Sequence, residues 1–82
     1  MLADQVESVM AELRQRKVDG RGLPPTAISI YGFRKLEEIC LNGPHQEVDG
    51  AIQKFKKLAP HPMNPVRYAM LRAKVEQQAA AT

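Results

Sequence analysis

Apolar residues recur at helical spacing in four stretches of this chain, and glycine or proline stands at every junction between them. In the first, Leu2, Val6, Val9, Met10 and Leu13 follow the i, i+4, i+7, i+8, i+11 order of one narrow buried stripe, which predicts a helix over residues 2–18. Asp4 and Glu7 have the spacing of a capping box at the positive end of the helix dipole, and Arg14, Arg16 and Lys17 suit the negative end. Asp19–Gly20 then stops the helix, because glycine enters the left-handed region at little cost.

The connection GRGLPPT is not helical, since consecutive prolines remove donors and restrict the residue before them. A second helix is expected over 27–42, capped by Thr26 or Ser29, with Phe33, Leu36, Ile39 and Cys40 on its buried arc and Ile28 beside it. Gly32 falls on that arc. A missing side chain there would admit a neighbouring helix; the bland alternative is a frayed first turn. Asn42-Gly43-Pro44 ends the segment.

The third pattern is the cleanest: Val48, Ala51, Ile52, Phe55, Leu58 and Ala59 predict a helix over 45–59. Gly50 faces away from that stripe, where glycine costs about 1 kcal/mol relative to alanine. In the fourth, Asn64 is a good N-cap and Pro65 fits the first helical position, so a helix runs over 65–79. The tail from about residue 77 to 82, QQAAAT, has nothing large to bury and is expected to fray. The chain therefore reads as an all-α single domain over 1–82, a small bundle of four short helices with Pro/Gly-rich connections. Its expected core is Val6, Val9, Met10, Leu13, Phe33, Leu36, Ile39, Cys40, Ile52, Phe55, Leu58 and one face of the last helix.

That last helix has two apolar stripes. At about 100° per residue, Val66, Ala69, Met70 and Ala73 point one way, and Tyr68, Leu71 and Val75 point roughly the other. Three other helices with narrow stripes cannot wrap both sides. Ala69 and Ala73 beside flexible Met70 suit close packing inside the bundle, so the outward surface is expected to be Tyr68, Leu71 and Val75, rimmed by Arg67, Arg72 and Lys74. Contiguous apolar patches on small proteins mark partner surfaces, and tyrosine is a common anchor there. The partner is a second copy in a two-fold dimer or a different protein.

Composition narrows the chemistry. A chain of 82 residues buries only about 60% of the surface its unfolded form exposes, so stability is small. One cysteine, Cys40, excludes an intramolecular disulfide, and one cysteine with two histidines cannot make a structural zinc site of the usual kind. A lone thiol in an apolar run fits a reducing compartment. The N-terminal stretch has no signal-peptide pattern, and no run approaches the roughly 20 apolar residues of a membrane span. The expectation is a cytoplasmic protein without membrane, cofactor or small-molecule substrate.

No catalytic constellation is found. Glu37 and Glu38 diverge on a helix, Cys40 points into an apolar arc, and His45 and His61 stand beside prolines in loops. DGRG follows a helix rather than a strand, the wrong context for a phosphate-binding turn. The expectation is a non-enzymatic interaction module, a small adaptor or regulator.

Charge supports an alternative. Residues 1–43 carry six basic and six acidic side chains, whereas 44–82 carry six basic and three acidic, so the whole excess of +3 lies in the second part. A helix-turn-helix reading makes the third helix a recognition helix offering Gln53, Lys54, Lys56 and Lys57 to DNA. Against it, Glu47 and Asp49 place negative charge at the end that normally meets the bases.

Overall fold

The computed structural model describes residues 1–81. Among them the chain forms α1 (Leu2–Gln15), a short hairpin of β1 (Lys17–Val18) and β2 (Arg21–Gly22), α2 (Pro25–Asn42), a 3₁₀ turn (His45–Glu47), α3 (Val48–Leu58) and α4 (Pro65–Ala81). The architecture is all-α with four helices, as the periodicity predicts. No helix among the described residues is long and apolar enough to cross a membrane.

The boundaries differ where turn chemistry overrides the apolar pattern. α1 ends at Gln15, not near residue 18, because Lys17 and Val18 pair antiparallel with Gly22 and Arg21. Asp19 and Gly20 have φ of 52° and 78°, the two positive values of a two-residue hairpin turn. Asp19–Gly20 is therefore a hairpin loop and not a helix stop. At the next junction α2 starts at Pro25, whose fixed φ and missing N–H suit a first turn, and no side chain caps it. Neither Thr26 nor Ser29 has the capping role expected of it.

The core lies where the stripes meet. Leu2, Val6, Met10 and Leu13 of α1 pack against Ile28, Phe33, Leu36 and Cys40 of α2 and against Val48, Ala51, Ile52 and Phe55 of α3. Val9, Ile39 and Leu58, expected inside, lie at the edge and are partly buried. Gly32 is part of the core, and its missing Cβ makes room for Met10 and Phe55. Both ends of α1 are tied to α3 and the turn before it. The Leu2 N–H donates to Glu47 Oε1 at 2.8 Å, and the Arg14 guanidinium donates to the Leu58 carbonyl. These bonds replace the expected capping box: Asp4 makes no cap, and Glu7 instead pairs with Lys54 at 3.0 Å.

Asn64 caps α4 as expected, its Oδ1 accepting from the Val66 N–H at 3.0 Å. The helix continues to Ala81, and Gln78 donates to the Leu41 carbonyl at the end of α2 (2.8 Å), so residues 77–81 are helical rather than frayed. Thr82, the last residue of that tail, lies outside the described residues. The molecule is elongated, 45 × 24 × 19 Å.

Candidate interaction surface

Phe33 from α2, Phe55 from α3 and Tyr68 from α4 form a three-ring cluster, with centroids 5.7–6.2 Å apart and rings tilted 61–73°. These are edge-to-face contacts, each placing the positive edge of one ring on the negative face of another. The cluster decides which side of α4 faces in. Tyr68, Leu71 and Val75 are 8%, 1% and 6% exposed, whereas Val66 and Met70 are 59% and 56% exposed. Ala69 and Ala73 are exposed with them.

This reverses the expected orientation. Tyr68, Leu71 and Val75 belong to the core of the domain and cannot present an outward face while it is folded. Apolar stabilisation scales with area removed from water, and Tyr68, Leu71 and Val75 are all large, whereas half of the other stripe is alanine. Close packing by the small residues Ala69 and Ala73 is outweighed here by that area. Bulk was the signal in the sequence that could have corrected it.

The cations around α4 sort into paired and unpaired. Arg72 meets Asp49 of α3 at 3.0 Å, and Lys74 meets Glu37 of α2 at 3.1 Å. Both are exposed pairs, worth at most about 1 kcal/mol each. Their role is to hold the flanks of a helix that buries only three side chains. Arg67 is exposed and makes no ion pair among the described residues. One Arg of the expected rim is thus available, and the other rim cations are engaged.

Of the four residues of the DNA reading, Gln53 and Lys57 are exposed on α3. Lys54 is partly buried against Glu7, and Lys56 holds its ammonium 4.8 Å from the centroid of the Tyr68 ring, a cation–π contact that covers the tyrosine from the solvent side. The four therefore do not make one free basic face.

Ser29 is the buried polar side chain of the core. Its hydroxyl donates to the His61 carbonyl at 3.0 Å and accepts from the His61 N–H at 3.1 Å. That pair fixes the loop between α3 and α4 on α2 and so sets where α4 begins. Cys40 is fully buried, and burial pushes its thiol up to about 11. At neutral pH it carries no thiolate for nucleophilic work. No group of three or more His, Cys, Asp or Glu able to hold a metal is found among the described residues.

Beside the exposed stripe, Ile30 of α2 is 41% exposed, a residue to which the sequence assigned no role. It lies across from Arg67 and Met63 in a hollow between the two helices. The outward surface of this side of the molecule is then Val66, Ala69, Met70 and Ala73 on α4, Arg67 at their edge, and Ile30 on α2. Comparison of the chain with protein families, with curated proteins and with solved structures returns no match, and function is therefore read from its own residues.

Proposed function

We propose that this chain is a non-enzymatic helical interaction module, a small adaptor or regulator, which docks a protein on the outward face of α4. The observation that carries the reading is the two-sided character of that helix. Its heavier stripe is spent on the domain's own core, and a second apolar stripe of Val66, Ala69, Met70 and Ala73 is left in water. A helix needing only one partner face is normally polar on the other. Contiguous exposed apolar residues on a small domain mark an interaction surface.

The occupant is a second copy of the chain or a different protein. Sedimentation velocity over a concentration series, on the wild type and on Val66→Asp/Met70→Asp, tests the first. A dimer that disappears in the variant, with the helical circular dichroism unchanged, supports self-association through α4. A wild type that stays monomeric leaves the different protein as occupant, tested by ligand selection below. A monomer for which no ligand can be selected overturns the reading.

DNA binding through α3 is the second class, and the engagement of Lys54 and Lys56 disfavours it. Gel retardation of duplex DNA at low salt by tens of micromolar protein, lost when Lys54, Lys56 and Lys57 are changed to Glu, would reinstate it.

A further inference from the structure

Between α2 and α4 runs a groove whose two ends are fixed. Ser29 bonds to the His61 backbone at one end, and Glu37 pairs with Lys74 at the other. The groove consists of two hollows, of about 230 Å³ beside Ile30 and Met63 and about 310 Å³ beside Phe33 and Met70. Arg67 lines both and stands between them. From Ile30 to Glu37 the groove is about 10 Å long at 1.5 Å per residue, the length of two helical turns.

Its charge is specific. The Glu37–Lys74 pair is neutral as a unit, so the uncompensated charge of the groove is that of Arg67. A guanidinium set between two apolar hollows matches a carboxylate set between two apolar side chains, and its planar fork suits bidentate capture of that group. We propose that the groove takes a short amphipathic helix of another protein, which seats an apolar residue in each hollow and an Asp or Glu on Arg67. It rests on the reading of α4 as a docking surface and names the chemistry of the occupant. A second copy fits less well. The groove side of its α4 brings another Arg67 and Lys74, with Glu76 as the one acid of that helix, so copies meeting here oppose like charges.

The test is selection from a displayed library of helical peptides with randomised faces, run on the wild type and separately on Arg67→Glu. The wild type is expected to select an acidic residue between two apolar ones, and Arg67→Glu to select Lys or Arg at that position. Peptides selected on the wild type should bind Arg67→Glu at least about 10-fold more weakly and Arg67→Gln with an intermediate loss, the size of effect a charged hydrogen-bonded pair produces. Arg67 is exposed, so both variants should melt with the wild type.

Peptides that lose binding on Met70→Asp but show no acid preference, and ignore Arg67→Glu, overturn the acidic occupant and leave the α4 surface standing. Peptides indifferent to both changes bind elsewhere and overturn both readings. No selected peptide, with a wild-type dimer abolished by Met70→Asp, makes the second copy the occupant and overturns this inference alone. No selected peptide and no dimer overturns both.

Discussion

One added methyl group distinguishes two glycines of this protein. A Cβ built on Gly32 would stand 2.5 Å from Met10 Sδ and 3.1 Å from both Met10 Cε and Phe55 Cε2. Ordinary carbon contacts lie near 3.5–4.0 Å, so the closest approach is short by roughly 1 Å. Met10 can bend, but it is 1% exposed and Phe55 is fully buried, which leaves little room to bend into. Overpacking of this kind costs about 1–3 kcal/mol. Alanine in a helix gains about 1 kcal/mol over glycine, which offsets part of that. Gly32→Ala should therefore destabilise by up to about 2 kcal/mol. Gly50 provides the control: it lies in α3 with nothing within 4 Å of an added Cβ, so Gly50→Ala should stabilise by up to about 1 kcal/mol. Each kcal/mol moves the melting temperature of a domain this size by about 4–8 °C. Thermal melts followed by circular dichroism at 222 nm (the usual helical signal) should show the two variants moving in opposite directions from the wild type. Gly32→Ala melting above the wild type, as Gly50→Ala should, would refute the close approach of α1 and α3 to α2.

Adjacent residues of α4 should behave oppositely: Met70→Asp stays within about 0.5 kcal/mol of the wild type in urea unfolding, whereas Leu71→Asp costs several kcal/mol and detaches α4 or unfolds the domain. Equal effects of the two would mean that α4 is turned differently. Ser29→Ala removes both bonds to the His61 backbone and should cost about 1–3 kcal/mol, measured by the same unfolding; an unchanged midpoint would show that the loop is held by other means. The buried Cys40 thiol titrates near 11 instead of 9. Between those values the folded chain keeps a proton the unfolded chain has lost, so stability should be intact below pH about 9 and fall as pH rises toward 11. Cys40→Val should show a shallower decline over that window, and an identical profile would contradict the burial of the thiol.

What was legible in the sequence depends on how local its cause is. The start of α4 follows from Asn64 and Pro65 alone, and the buried stripe of α3 follows from one strong period, so both could be read. The end of α1 was also local, but Asp19–Gly20 reads equally as a helix stop and as a hairpin loop, and the pairing of Lys17 and Val18 with Gly22 and Arg21 decides for the hairpin. The partner of Glu47 could not be read, because it is the Leu2 N–H, 45 residues away. Ser29 looked like a cap because serine usually is one at a helix start; its bonds to His61 exist only once α4 is docked. For the candidate surface, the two stripes of α4 and the presence of an outward one were readable. Their assignment was not, because it depends on the Phe33–Phe55–Tyr68 cluster, which three separate helices must assemble. Arg67 was named as part of the rim, but its distinction from Arg72 and Lys74 rests on where Asp49 and Glu37 fall in space.

The outward face of α4 as a docking surface is tested most directly by backbone amide NMR of the ¹⁵N-labelled protein, titrated with a peptide selected on the wild type. Shift changes should concentrate at Val66, Arg67, Ala69, Met70 and Ala73 and at Ile30 across the groove, with Gln53 and Lys57 unmoved. Changes centred on the exposed face of α3, or scattered over the domain with α4 silent, would contradict it.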